Sequence, residues 1–108
     1  MEKVIVDVRG TPVEVGRAGR GAPVLYLHGI YDLHSAQAGP FPFHELLAAR
    51  CRLLAPAHPG CGESGGIAAV TAIEDLAFHY LDVLDALGLA QVDVVGFCLG
   101  GWIAAEVA

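Results

Sequence analysis

The sequence predicts an α/β fold in which an N-terminal hairpin is followed by a parallel sheet with flanking helices. Two alternating segments near the start are separated by Arg9-Gly10, a pair that suits the tight turn of a hairpin. From residue 23 onward, short apolar runs alternate with helical patterns, which is typical of parallel strands joined by right-handed crossover helices. We therefore expect the order β-β-β-α-β-α-β-α in a single domain, the most that 108 residues accommodate.

The strands are predicted from alternating or short apolar runs. In the hairpin, Lys3–Val8 is expected to pair with Thr11–Val15, and the glycine-rich Gly16–Gly21 is expected to form a loop. Three further segments have the composition of buried parallel strands: Val24–Leu27, Arg52–Ala57 and Val92–Phe97. The last of these would be an unpaired apolar edge of the sheet, through which the chain is expected to self-associate.

The clearest helix signal lies between the last two strands. Thr71 and Glu74 have the spacing of a capping box, in which each side chain satisfies a free backbone N–H of the first turn. Apolar residues then recur at helical spacing up to Leu87, and Gly88 is a suitable residue to end the helix. His79 is expected on the opposite, solvated face. Three acidic residues share that expectation: Asp75, Asp82 and Asp85.

Two other helices are predicted in different surroundings. A short helix over His44–Arg50 follows an irregular segment that Pro40 and Pro42 interrupt. The helix over Leu99–Ala108 is apolar on nearly all sides, so it is expected to be buried, with Trp102 in the core.

Composition and charge exclude several classes of function. The chain is 55% hydrophobic and has a net charge of −6 with six scattered basic residues, which argues against a nucleic-acid partner. No apolar run reaches the roughly 18 residues of a membrane span, and the first residues lack a secretory signal. A cytoplasmic protein that does not associate with membranes is therefore expected. The histidines lack helical pairing and a carboxylate cluster, so no metal site is predicted.

The stretch "GFCLGG", which begins at Gly96, contains the residue most suited to covalent chemistry. It lies between a predicted strand and a predicted helix, where a sharp turn forces the central Cys98 into a strained conformation and lifts its side chain above the sheet. Side chains two residues to either side would collide, which requires glycine at Gly96 and Gly100. Gly101 would then let the helix pack closely on the strands.

The same turn would activate the thiol. It places Cys98 at a helix N-terminus, where the dipole and free N–H groups favour the thiolate. The backbone N–H of Leu99 would point at an oxyanion forming on a substrate carbonyl. The alternative is a buried structural thiol, since free cysteine is among the most buried residue types. Cys51 and Cys61 are expected to be packing or incidental thiols, and no disulfide framework or zinc pattern is expected.

Three segments together, "LYLHGI", "HPGCGES" and "VVGFCLGGWIAAEVA", resemble the α/β-hydrolase superfamily in its esterase, lipase and C–C-bond hydrolase branch. The "GFCLGG" stretch is similar to the nucleophile elbow of dienelactone hydrolases. The resemblance implies that Cys98 is the nucleophile and that Leu99 and Ile30 donate backbone N–H groups to an oxyanion hole. It implies that His28 and Gly29 support the oxyanion loop, that the partner is a small-molecule carbonyl substrate, and that no cofactor is needed.

The resemblance also implies what lies outside these residues. The family places its catalytic acid and histidine after the nucleophile, and this chain ends ten residues after Cys98. Residues 1–108 are thus expected to be a single partial domain, the N-terminal half of a hydrolase that attacks an ester, thioester or lactone carbonyl. The alternative is a non-catalytic truncated chain or an interaction module. The candidates present for lining a substrate pocket are Ile30, Tyr31 and Leu99.

Overall fold

A computed structural model describes residues 1–30, 32–34 and 40–108, so Tyr31 lies outside the described residues. Five strands and three helices follow in the predicted order, which confirms the α/β fold class. The elements are β1 Glu2–Val8, β2 Thr11–Ala18, β3 Pro23–Leu27, α1 Pro42–Ala48, β4 Arg52–Pro56, α2 Ile73–Ala86, β5 Asp93–Gly96 and α3 Leu99–Val107.

The strands form one mixed sheet in the order β1-β2-β4-β3-β5. The predicted hairpin is present, and Arg9 and Gly10 at its turn have positive φ angles of 51° and 86°. β3 runs parallel to β4 on one side and to β5 on the other, whereas β2 is antiparallel to β4. β5 is therefore an edge of the sheet in these residues, as predicted.

The prediction of a loop over Gly16–Gly21 is wrong for its first three residues, which belong to β2. β2 continues to Ala18, and Gly16 pairs with Lys3 of β1 and with Ala55 of β4. Two neighbouring strands thus satisfy the backbone groups of this segment, which outweighs the low strand preference of glycine.

The core lies on both faces of the sheet, and the alternation of side chains along β3 shows how it is divided. Leu25 and Leu27 face the cluster that α2 and α3 cover, whereas Val24 and Tyr26 face the opposite cluster. The first cluster also contains Tyr80 of α2. Within the described residues, no helix is long and apolar enough to cross a membrane.

The start of α2 differs from the prediction. The helix begins at Ile73, and Asp75 rather than Glu74 reaches back to accept hydrogen bonds from the backbone N–H groups of Thr71 and Ala72, at 3.0 and 3.1 Å. The bond from Thr71 is the main reason that the pKa of Asp75 is lowered. The predicted pairing of Thr71 with Glu74 is wrong because the helix starts later, so Asp75 occupies its third position.

Two predictions about burial are also wrong. His79, expected on a solvated face, is only 7% exposed, and burial lowers its pKa. It lies beside Val8 and Thr11 of the hairpin, which cover that side of α2. Trp102, expected in the core, is 57% exposed, because α3 packs one face on α2, β3 and β5 and has no cover among these residues on the other.

Candidate active site

Cys98 lies between the end of β5 and the start of α3, at the sharp turn that the sequence predicts. Its φ of 57° and ψ of −118° lie outside the ordinary helical and extended regions, which is strained for a residue with a Cβ atom. The residue is exposed at the carboxyl end of the sheet. The backbone thus presents the thiol to solvent, and its role as a nucleophile stays a prediction.

The glycines around Cys98 differ in how closely they are packed. A Cβ atom at Gly96 would overlap the backbone of Gly100, and one at Gly100 would overlap the carbonyl of Leu27 and lie 2.7 Å from the oxygen of His28. A Cβ atom at Gly101 would meet the nearest atom at 3.4 Å, an ordinary contact. The turn therefore requires glycine at 96 and 100, and less strictly at 101.

The segment after β3 touches the turn directly. A Cβ atom at Gly29 would lie 3.0 Å from both the Cβ of Cys98 and the oxygen of Phe97, so only glycine lets the two backbones meet this closely. Leu99 is the first residue of α3, so its N–H has no acceptor within the helix. Ile30 follows Gly29 in the chain, and Leu99 follows Cys98. The two predicted oxyanion donors are therefore each one residue after a member of the Gly29–Cys98 contact.

Asp32 is a buried residue of this segment that the sequence analysis missed. It is 4% exposed, and its Oδ1 accepts a hydrogen bond from the N–H of Gly29 at 2.5 Å. Its Oδ2 accepts one from the Tyr26 hydroxyl and lies 3.7 Å from Nε2 of His44. Burial is the main reason that the pKa of Tyr26 is raised, and the bond to Asp32 adds to it. Asp32 therefore holds the peptide between His28 and Gly29, which is one peptide before the N–H of Ile30.

The rings of His28 and His58 stack beneath this segment, with centroids 3.8 Å apart and planes at 28°. His28 donates from Nδ1 to the carbonyl of Gly29 at 2.7 Å, and its Nε2 accepts from the backbone N–H of His58 at 2.9 Å. His58 donates from Nε2 to the carbonyl of His28 at 2.7 Å, and its Nδ1 accepts from the hydroxyl of Tyr80. Each ring nitrogen is thereby engaged in a pattern that suits the neutral imidazole.

Burial keeps both rings uncharged. It lowers the pKa of His28, and it lowers the pKa of His58 to about 4, with the neighbouring His28 contributing in the same direction. The supporting role that the resemblance implies for His28 stays a prediction.

A second pair of largely buried side chains, His34 and Glu14, connects the segment after β3 to β2. Nδ1 of His34 lies 2.9 Å from Oε2 of Glu14, and its Nε2 lies 2.7 Å from the carbonyl of Ala55. Each ring nitrogen of His34 thus faces an acceptor oxygen, one on β2 and one on β4. The other oxygen of Glu14 accepts from the backbone N–H of Glu63, and the N–H of Glu14 bonds to the Ser64 hydroxyl, both at 2.9 Å. Sequence patterns gave no sign of this pair.

A groove of about 700 Å³ lies between the segment after β3, the loop after β4 and the first turns of α2 and α3. Its side chains include five aliphatic residues, Ile30, Ile67, Val70, Leu76 and Leu99, together with His28, His58 and Cys61. Among the described residues, no group of three or more His, Cys, Asp or Glu side chains is arranged to hold a metal ion.

A model of the alpha/beta hydrolase fold family matches residues 22–108, most of the chain. The chain belongs to this family. An uncharacterized protein of Mycobacterium tuberculosis is 34% identical over 91 residues, which are 84% of this chain and 26% of that protein. Two solved structures are each 25% identical: the N-acyl homoserine lactonase AidH, with a TM-score of 0.78, and the epoxide hydrolase VrEH1 from Vigna radiata, with a TM-score of 0.76.

The match to these structures extends over nearly all of this chain but over a smaller part of theirs. It covers 99% of this chain and 40% of the lactonase, and 98% of this chain and 34% of the epoxide hydrolase. The chain thus spans between a quarter and two fifths of the length of the proteins it matches.

Proposed function

We propose that this chain supplies the nucleophile and oxyanion hole of a hydrolase that acts on an ester, thioester or lactone carbonyl, as the N-terminal part of its catalytic domain. The observation that carries the proposal is the strained, exposed Cys98 in direct contact with Gly29. Membership of the hydrolase family and likeness to a lactonase and an epoxide hydrolase support hydrolysis in general. The "GFCLGG" stretch supports the cysteine variant of that chemistry.

In the proposed reaction, the sulfur of Cys98 attacks the carbonyl carbon of the substrate. The negative charge that develops on the carbonyl oxygen is stabilised by the backbone N–H groups of Leu99 and Ile30. The tetrahedral intermediate then collapses, the C–O or C–S bond to the leaving group breaks, and a thioester to Cys98 remains. Water must hydrolyse this thioester to complete turnover.

The base for that last step is proposed to lie outside these 108 residues. Three histidines already use both ring nitrogens: His28, His34 and His58. Nδ1 of His44 accepts from the backbone of Phe41 and its Nε2 faces Asp32. His79 lies on α2 beside the hairpin. Among the described residues, no histidine makes a hydrogen bond to Cys98, as a base that takes its proton would need to.

The test is the reaction of the 108-residue chain with 4-nitrophenyl acetate. We expect a burst of up to one nitrophenolate per chain, a mass increase of one acetyl group on Cys98, and little turnover afterwards. Cys98→Ala should abolish the burst, and Cys51→Ala, which removes a buried thiol outside the groove, should keep it. The absence of a burst would instead favour a non-catalytic interaction module. Steady turnover that depends on Cys98 would contradict the proposal that the base lies elsewhere.

A further inference from the structure

Among the described residues, no Asp, Glu, Lys or Arg side chain lines the groove that Ile30 and Leu99 border. Its aliphatic residues contribute no charge, and its titratable side chains are two histidines and one cysteine: His28, His58 and Cys61. Burial lowers the pKa of His28 and lowers that of His58 to about 4, whereas burial raises the pKa of the Cys61 thiol. All three groups are therefore uncharged at neutral pH.

The polar ring atoms of the groove are also occupied. Both nitrogens of His28 and both nitrogens of His58 bond to backbone carbonyls, a backbone N–H or the Tyr80 hydroxyl. A carboxylate that entered the groove would lose its hydration without gaining a donor from either ring. The free energy cost of such a transfer is large for a charged group and absent for an alkyl chain.

The groove begins at the site of the proposed reaction. Ile30 and Leu99 line it, and they are the residues whose N–H groups would hold the oxyanion. Cys98 directly precedes Leu99 and packs against Gly29, which also lines the groove, and Val70 and Leu76 form other parts of the wall. Its volume of about 700 Å³ is far more than an acetyl group needs.

We propose that this groove binds the acyl chain of the substrate and that it selects uncharged aliphatic acyl groups over acyl groups that end in a carboxylate. The inference rests on the proposed function of Cys98. In the step that reports it, the sulfur of Cys98 forms a bond to the acyl carbon and the ester C–O bond breaks. Nitrophenolate leaves with the electron pair, and the thiol proton passes to solvent.

The experiment compares three esters on the 108-residue chain: 4-nitrophenyl acetate, 4-nitrophenyl hexanoate and the mono-4-nitrophenyl ester of adipic acid. The last two differ mainly in a terminal methyl group against a terminal carboxylate. A fully buried methylene group contributes about 0.8 kcal/mol, or roughly fourfold in rate. For a partly open groove we expect hexanoate to acylate Cys98 at least about tenfold faster than acetate. Adipate should be at least about tenfold slower than hexanoate. Rates are corrected with Cys98→Ala.

A variant that adds a cation to the groove should reverse the preference. Ile67→Arg places a guanidinium group in the wall, so adipate should react faster than in the wild type and hexanoate more slowly. Ile5→Arg, the same substitution at a 51% exposed position of β1, is the matched control and should leave the ratio unchanged. Circular dichroism and thermal unfolding check that both variants fold, and if Ile67→Arg does not, the wild-type ratios decide.

The outcomes separate the two proposals. Equal rates for hexanoate and adipate, or a similar change of the ratio in both arginine variants, would overturn the groove assignment while acylation of Cys98 stands. If no ester labels Cys98, the proposed nucleophile is wrong and the groove assignment falls with it. Faster labelling by acetate than by hexanoate would also overturn the inference.

Discussion

His58 should make the fold lose stability in mild acid. Its ring is 7% exposed, and burial lowers its pKa from 6.5 to about 4. Between these two values the unfolded chain binds a proton at this position and the folded chain does not, so acid favours unfolding. The stability that the neutral ring provides is complete above pH 6.5 and declines as the pH falls towards 4. At about 1.36 kcal/mol per pKa unit, the loss is roughly 3 kcal/mol.

The assay is urea unfolding of the wild type and of His58→Gln at several values between pH 4.5 and 7.5. Near pH 5 the free energy of unfolding should change more steeply with pH in the wild type than in His58→Gln. The expected difference in slope is about 1.4 kcal/mol per pH unit, which corresponds to one proton. His58→Gln should also be less stable at pH 7.5, because it loses the stacked ring and the contact with Tyr80. Repeating the series at several protein concentrations separates association from folding. Equal slopes for the two proteins would refute the reasoning.

Three further predictions concern the elbow and the sheet edge. Gly100→Ala should lower the free energy of unfolding by more than about 3 kcal/mol, because its Cβ would overlap the backbone of Leu27 at the end of β3, whereas Gly101→Ala should cost far less in the same thermal denaturation experiment. Cys98 should react with iodoacetamide faster than Cys61, as mass spectrometry of timed samples would show; protection of Cys98 would contradict its exposure. Val92→Lys, one residue before β5, should reduce self-association through this edge of the sheet in sedimentation measurements, and an unchanged oligomer would point to another interface.

The order of the elements and the turn at Cys98 could be predicted from the sequence because both depend on neighbouring residues. The apolar run of β5, the glycines at 96 and 100 and the helix after them are all local features, and the structure contains each one. Packing of Gly29 on Cys98 was implied only by the family resemblance, since the two residues are far apart in the chain.

The polar interactions beneath the site could not be predicted in this way. Glu14 and His34 become neighbours only when β2, β4 and the segment after β3 come together. His79 has the spacing of a solvated residue, but it is buried beside the hairpin. Helical periodicity shows which side of a helix is polar, but it does not show which other element packs on that side. Trp102 shows the converse case: an apolar helix indicates that a residue is suited to burial, but the part of the chain that the structure describes places no element over it.

The order of strands in the sheet has a kinetic consequence. The β1–β2 hairpin closes a two-residue turn, whereas β5 pairs with β3 through Val24 and Asp93, which are 69 residues apart in the chain. Closing so long a loop costs more chain entropy than closing the hairpin, and pairings distant in sequence slow folding. The turn at Cys98 follows β5 directly, and Gly100 packs against the carbonyl of Leu27 at the end of β3. The native turn therefore forms together with the pairing of these two strands. The thiol should therefore acquire its native reactivity only after β3 and β5 have paired. The rate at which Cys98 becomes reactive during refolding would then report the completion of folding.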